Sequence, residues 1–541
     1  MSLSPSLHRS ISRLATLGSV LAALVLASAC GESQAGEDVC ELAAEHRHAC
    51  LGEYVTPPIC EGEAEADAEY LLSLDCAEMQ GLATLEQGKA DGPFCDWFGT
   101  GCADDEAIFD GPACRSDADC QAGSFCAEGH CFAGAGSDEF SAAFDEFTNS
   151  IETFGSDVRV VADNDEIRAI RRALIEGAQH SIHLTSLYLA GDTTGRETVT
   201  ALASAAQRGV EVRVVLDSFS QSFWGESDLL DELHGSGVDV LGFNPVRGWA
   251  RLRWSIGLWA DQRIHEKILV VDGEHAVVGG RNISDSYLVG GPDNHRDTCL
   301  FMSGPGVWDV QRVFLDLWDK VAEWEHEAGC SQDLYCPDTG TSDRSTAPEY
   351  YPDMDPQSTA LTRAIYSDPH AQSTSEGYFT MISMVRAARE SIEISNAYFV
   401  PPRRLRKHLR EAVERGVDVV MLTNSKESAA ETTMWYAGIN YYRELIDAGV
   451  EIREWRGPGA LHAKTMTVDG ELALVSSFNL DPRSAERNSE ALVLVRDHDA
   501  VANLSAEFAR DRLNSDLARY DDISWTEWVK ARALRIPEPL L

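Results

Sequence analysis

His265-Glu266-Lys267-Ile268-Leu269-Val270-Val271-Asp272 and His462-Ala463-Lys464-Thr465-Met466-Thr467-Val468-Asp469 carry one pattern, H-x-K-x-x-x-x-D. The chain holds seven lysines, and two of them stand two residues after a histidine in these stretches. A pattern this demanding rarely occurs twice by chance, so the pair points to one site needing a histidine and a lysine from each of two halves.

The flanks repeat as well. Asn282 follows His265 by 17 residues, in Gly279-Gly280-Arg281-Asn282. Asn479 follows His462 by the same 17, in Ser476-Ser477-Phe478-Asn479. Upstream, Ser181–Tyr188 matches Ser391–Tyr398, Arg208-Gly209-Val210 matches Arg415-Gly416-Val417, and Gly237-Val-Asp-Val matches Gly449-Val-Glu-Ile. The repeat unit is therefore of domain size. Helical spacing predicts helices over Glu166–Ala178 and Gly377–Glu390. Apolar runs predict strands at Val212–Leu216, Ile268–Val271, Ala276–Val278, Val419–Leu422, Thr465–Val468 and Leu472–Val475. Helices alternating with apolar strands indicate α/β lobes around largely buried sheets. A period of two puts His265 and Lys267 on one face of a strand start, and His462 and Lys464 likewise. Asp272 and Asp469 fall at the far strand ends, before the turn glycines Gly273 and Gly470.

These residues resemble the phospholipase D superfamily, whose signature is a duplicated H-K-D motif. RIHEKILVVDG (263–273) with GGRNISDSY (279–287), and LHAKTMTVDG (461–470) with SSFNLDPRSAERNSE (476–490), resemble its bacterial cardiolipin synthase branch. ISNAYFVPPRR (394–404) and LTNS (422–425) do so too. The resemblance covers residues 140–541, roughly. It implies two pseudo-symmetric α/β/α lobes facing one shared active site, with His265 as nucleophile and His462 as acid. It also places Glu490 as a carboxylate that orients a histidine.

The chemistry is accessible to these side chains. A neutral imidazole is a nucleophile near pH 7, and a protonated partner is an acid. One attack forms a phosphohistidine; the second histidine protonates the leaving oxygen and then activates water or an alcohol. Lys267, Lys464, Asn282 and Asn479 supply donors for phosphate oxygens with no metal or other cofactor, and the Ser477 hydroxyl is a further candidate. Its counterpart, Gly280, offers none. In the first half Asp297 is the expected histidine-orienting carboxylate and Asp293 competes with it. Asp272 and Asp469 complete the six H-K-D site residues and are expected to brace the strand ends rather than touch substrate.

At 541 residues the chain exceeds a single core. Its expected divisions are a leader (1–30), an acidic Cys-rich region (31–135), a first lobe (136–345) and a second lobe (346–541). His8, Arg9 and Arg13, the apolar run Leu14–Leu26 and Ala27-Ser28-Ala29-Cys30 resemble an export signal with a lipobox-like end, implying a periplasmic or outer-membrane-anchored lipoprotein, or simple secretion. Ten cysteines from Cys40 to Cys131 favour five disulfides over a zinc site, because C-x-x-C pairs are lacking. Cys330 and Cys336 form a possible loop staple, and Cys299 reads as buried and inert. Residues 31–130 hold 23 acidic and three basic side chains, within a formal net charge of −43. That balance argues against nucleic acid as partner.

The first half also carries an insertion. Gly237 precedes His265 by 28 residues, whereas Gly449 precedes His462 by 13. Trp249, Trp254, Trp259, Arg247, Arg251 and Arg253 fall within it. Two readings stay open: a segment that seats in a phospholipid surface, and a core helix with arginines outward. The expected activity is phosphatidyl transfer or hydrolysis on phospholipids at a membrane. A nuclease-type phosphodiesterase and a non-catalytic envelope binding protein are the alternatives. Oligomeric state is not legible.

Overall fold

The computed structural model describes residues 113–127, 130–148, 150–243, 262–327, 348–367 and 375–534. The leader, most of the Cys-rich region, residues 244–261 of the insertion and the Cys330/Cys336 pair lie outside them. Among the described residues no helix is long and apolar enough to cross a membrane.

The first lobe runs β4 (Asp157–Val161), α2 (Asn164–Gly177), β5 (Ser181–Ser186), α3 (Thr193–Gln207), β6 (Glu211–Asp217), α4 (Ser218–Trp224), α5 (Ser227–Gly235), β7 (Asp239–Phe243), β8 (Ile268–Val271), β9 (His275–Gly279), α6 (Asp285–Leu288), β10 (Cys299–Ser303) and α7 (Val307–Glu327). The second runs β11 (Leu361–Ser367), α8 (Glu376–Ala387), β12 (Ser391–Asn396), α9 (Arg403–Glu414), β13 (Asp418–Asn424), α10 (Thr432–Ala448), β14 (Glu451–Trp455), β15 (Lys464–Val468), β16 (Leu472–Ser476), α11 (Pro482–Glu486), β17 (Glu490–Arg496), α12 (His498–Leu513), β18 (Ser515–Leu517) and α13 (Trp525–Leu534). Ahead of both lie β1 (Ser124–Ala127), β2 (His130–Ala133), α1 (Asp138–Phe147) and β3 (Thr153–Phe154).

The first sheet has strand order β4-β10-β9-β8-β5-β6-β7, and the second β18-β14-β13-β12-β15-β16-β17-β11-β3. Removing β18 and β3 leaves the same seven-strand order in both. β5–β6–β7 and β12–β13–β14 are parallel, as helix crossovers require. The motif strands pair as antiparallel hairpins, β8 with β9 and β15 with β16. At their tips Asp272 and Gly273 have φ of 55° and 67°, and Asp469 and Gly470 have 54° and 68°. Two consecutive left-handed residues suit the right-handed twist of a hairpin, and Asp-Gly tolerates them.

The outer face of each sheet packs on its helices, with Ile167, Val199 and Leu229 in one lobe and Ile382, Leu409 and Leu445 in the other. The inner faces pack on each other. Ile268, Val270, Ala276, Val278 and Leu300 of the first lobe share one apolar seam with Ala473, Val475, Ala491, Val493 and Val495 of the second. At roughly 1.5–3 kcal/mol per fully buried Val, Leu or Ile side chain, this seam far outweighs surface ion pairs in joining the lobes.

Residues 138–154, counted with the first lobe from sequence, pack on the second. Phe140 and Phe144 of α1 join its core, and β3 extends its sheet along β11. The buried guanidinium of Arg363 on β11 donates to Ser141, Ser150 and Asp145 and locks α1 in place. Two disulfides are described in the Cys-rich region, Cys114–Cys126 and Cys120–Cys131. They tie the β1–β2 hairpin, whose Phe132 lies 4.2 Å under Arg386 of α8. Cys299 is a buried free thiol.

Candidate active site

Each motif histidine begins where the other lobe touches it. Arg263–His265 runs alongside Ser489: the His265 N–H donates to the Ser489 carbonyl (2.9 Å), and the Ser489 N–H to the Arg263 carbonyl (3.0 Å). The second half repeats this. The Arg296 N–H donates to the Ala460 carbonyl (2.8 Å), and the His462 N–H to the Arg296 carbonyl (2.7 Å). These two short parallel bridges deliver the next residue of each lobe, Glu490 or Asp297, to the opposite histidine.

His265 Nδ1 lies 3.0 Å from both oxygens of Glu490, and His462 Nδ1 lies 2.7 Å from Asp297 Oδ2. Both carboxylates are fully buried. A carboxylate on Nδ1 fixes the Nδ1–H tautomer and leaves Nε2 as the reactive nitrogen. The competing candidate Asp293 is exposed and makes no such contact. Glu490 and Asp297 are thus the orienting pair, each acting on the histidine of the other lobe.

The environments are unequal. Burial raises Glu490 to about 7 against the pull of Lys267 and the Ser477 and Ser484 hydroxyls. Those hydroxyls donate to its oxygens at 2.5 and 2.6 Å. For Asp297, burial acts upward too, but the hydrogen bond and charge of His462 overcome it and hold the carboxyl at about 2. Burial is also the main reason both histidines sit well below 6.5; the ammonium groups of Lys267 and Lys464 add to the effect on His265. Asp297 opposes the fall at His462.

Lys267 and Lys464 are buried, which lowers them to about 7 and about 8. Each ammonium donates to the carbonyl of its own motif histidine, at 2.6 Å for Lys464. Lys267 sits one residue before β8, whereas Lys464 opens β15. Asn282 and Asn479 are buried, and the Oδ1 of each has no partner. Two buried acceptor oxygens without partners, one on each motif asparagine, mark a place for a polar ligand or water.

Ser477, expected to face phosphate, gives its hydroxyl to Glu490 instead. Asp272 and Asp469 are not in the reactive cluster. Asp272 accepts from the N–H groups of Gln179, His180 and Ser181 at 2.7–3.2 Å, and Asp469 from Arg389, Glu390 and Ser391 at 2.8–2.9 Å. They staple the motif hairpin to the turn entering the neighbouring strand.

Four residues of the site escaped the sequence reading. Tyr287 Oη lies 3.5 Å from His462 Nε2, and its ring stands edge-on to that imidazole. The His295 ring packs at a tilt against both. Ser484 supports Glu490, and Glu266 accepts from the His265 N–H (3.0 Å) and the Ser489 hydroxyl (2.8 Å). One signal was available: Tyr287 and Ser484 both stand five residues after their motif asparagine.

The family model described as "Cardiolipin synthase, PLD-like domain" matches residues 172–318 and 381–512, just over half of the chain and both motif copies. The chain belongs to this family. Cardiolipin synthase 2 of Bacillus cereus, a similar protein, is 32% identical over 368 residues, covering 66% of this chain and 65% of that one. A cardiolipin synthase of Halalkalibacterium halodurans is 29% identical over 408 residues, covering 73% and 74%. The chain thus spans about 65% of the length of the Bacillus relative it matches. Among solved structures, phosphatidylserine synthase of Haemophilus influenzae Rd KW20 aligns over 75% of this chain and 100% of that one, with TM-score 0.54 and 15% identity. This chain and that solved structure share a fold.

Proposed function

We propose that this protein transfers phosphatidyl groups between phospholipid alcohols, as a cardiolipin synthase or phospholipase D does, through a phosphohistidine. The reciprocal brace carries this reading: two buried histidines, each held on Nδ1 by a carboxylate of the other lobe. In the first step His265 Nε2 attacks the phosphorus of a donor such as phosphatidylglycerol or phosphatidylethanolamine. The bond from phosphorus to the head-group oxygen breaks, and His462 gives its proton to that oxygen. In the second step His462 takes a proton from an acceptor hydroxyl, whose oxygen attacks phosphorus and breaks the P–N bond. A second phosphatidylglycerol as acceptor yields cardiolipin; water yields phosphatidic acid.

The division of roles follows the unequal carboxylates. His462 is backed by an aspartate that stays ionised, which favours holding a proton. His265 lies under two ammonium groups, which favours the neutral nucleophile. Lys267, Lys464 and the Asn282 and Asn479 amides stabilise charge on the phosphoryl oxygens. Export to an oxidising envelope compartment, by anchored lipoprotein or secretion, belongs to the same proposal and is supported by the two disulfides. Fractionation into culture medium, periplasm, membranes and cytosol, with protease treatment of spheroplasts, tests it, and a protein that fractionates with and is protected like a cytosolic marker counts against it.

The decisive experiment incubates purified protein with labelled phosphatidylglycerol, with and without added alcohol, and identifies lipids by mass. Cardiolipin or the alcohol adduct is the expected product. His265→Ala and His462→Ala should each lower turnover by about 10²–10⁴ or more. Unchanged turnover in either variant overturns the mechanism, and absence of any lipid product overturns the substrate class.

A further inference from the structure

Away from the reaction centre, α2 and α3 enclose a cleft of about 800 Å³ to which Arg171 contributes. Arg171 is only 7% exposed, yet among the described residues its guanidinium has no hydrogen bond, ion pair or ring contact. The other arginines here are engaged. Arg168 reaches Glu197 (2.5 Å), Arg172 reaches Glu176 (2.7 Å), and Arg208 holds the carbonyls that end α2. The cleft carboxylates are engaged too, since Asp192 accepts from the N–H groups of Gly195 and Asp285. The carboxylates therefore leave Arg171 uncompensated, in a chain whose formal net charge is −43. A buried guanidinium without a partner is costly unless an anion or water meets it. Burial, with the nearby Arg281 charge adding to it and Cys299 opposing, pushes Arg171 below the ordinary arginine range.

We propose that this cleft is a second anion site, binding a phosphate-bearing ligand against Arg171, with Ile175 and Leu288 offering apolar wall beside it. Arginine suits this role because its planar fork matches phosphate oxygens in two-point contacts. The source of the phosphate is either an acidic phospholipid head group or free inorganic phosphate. None of the H-K-D residues lines the cleft, so the site is separate from catalysis and stands whether or not the phosphatidyl-transfer reading holds.

Calorimetric titration of the full chain tests it, with inorganic phosphate in one arm and water-soluble dihexanoyl phosphatidylglycerol in the other. The catalytic centre also takes phosphate, so the count of sites matters. Two sites per chain are expected for the wild type. Arg171→Met should lose one or weaken it about tenfold or more. Ser204→Trp, which obstructs the cleft without touching Arg171, should do the same and decides the matter should Arg171→Met fold poorly. Both variants should retain the wild-type rate on a soluble diester within about twofold. Binding of both probes, or of phosphate alone, marks a small-anion site; binding of the lipid alone marks a head-group site. Wild-type stoichiometry and affinity in both variants, in both arms, overturns the proposal.

Discussion

Gly280 and Asp297 occur together in one half, Ser477 and Glu490 in the other. A Cβ on Gly280 would meet Asp297 Oδ2 at 2.7 Å and Oδ1 at 2.8 Å, closer than Cβ atoms approach. The short aspartate thus lies against bare backbone. The longer glutamate leaves room for a serine, and its oxygens take that hydroxyl. The exchange should therefore be unequal. Gly280→Ser displaces Asp297 from His462 and should cut turnover about 10²-fold or more, in the range of an acid–base contribution. Ser477→Gly removes one donor, a loss of about 1–3 kcal/mol, and should lower turnover more modestly. Steady-state rates on one lipid substrate check both, and a harmless Gly280→Ser sinks the packing account. The pH profile belongs at this scale as well. Below pH 7 Glu490 gains a proton and stops accepting from His265; above pH 7–8 Lys267 and Lys464 lose theirs. The rate should peak near 7 and fall about tenfold per unit on the alkaline limb. A flat rate from pH 6 to 9 contradicts this assignment.

At the scale of elements, the motif hairpins are anchored by the aspartates that give the motif its last letter. Asp272→Ala removes the acceptor of three backbone N–H groups and places alanine at positive φ. It should cost about 1–3 kcal/mol of stability while leaving the rate, measured well below the melting temperature, within a few-fold. Thermal melts alongside rates separate the two effects; lost rate with wild-type melting would return Asp272 to the reaction. The elements themselves were largely legible. β8 has its predicted limits, and β6, β9, β13, β15 and β16 differ from theirs by no more than two residues at either end, because apolar periodicity records burial locally. What periodicity does not record is a partner 225 positions away. The Glu490–His265 contact has that separation, so the two carboxylates were legible as candidates and their exchange between lobes was not. Ser477 was misread for the same reason: a buried hydroxyl serves whichever acceptor folding places beside it. Tyr287 was missed because its equivalent, Ser484, is chemically different.

The whole molecule carries a stability signature of its site. The depressed Lys267 and Lys464 bind fewer protons in the folded state than in the unfolded chain, where lysine titrates near 10.4. Between about pH 7 and 10 their contribution to stability therefore rises with pH, while the rate falls. Denaturant unfolding at pH 7.5 and 9.5 should show a smaller gain in Lys267→Met than in the wild type; equal gains contradict the burial of that charge. The lobe seam and the two short bridges also make the lobes one cooperative unit, so Arg296, tied to Asp511 (2.8 Å) and Glu507 (3.2 Å) beside the second bridge, anchors more than a surface pair would.

The crossed carboxylates have a consequence for biogenesis. During synthesis His265 emerges long before Glu490, and His462 arrives to find Asp297 already made but not yet docked. A chain ending after its first lobe carries an imidazole with no brace and no acid opposite it. Glu490 opens β17, so a chain that ends after its first lobe lacks the carboxylate that holds His265 and cannot assemble the paired site. The brace makes the site a property of the completed polypeptide, with neither lobe holding a braced histidine by itself.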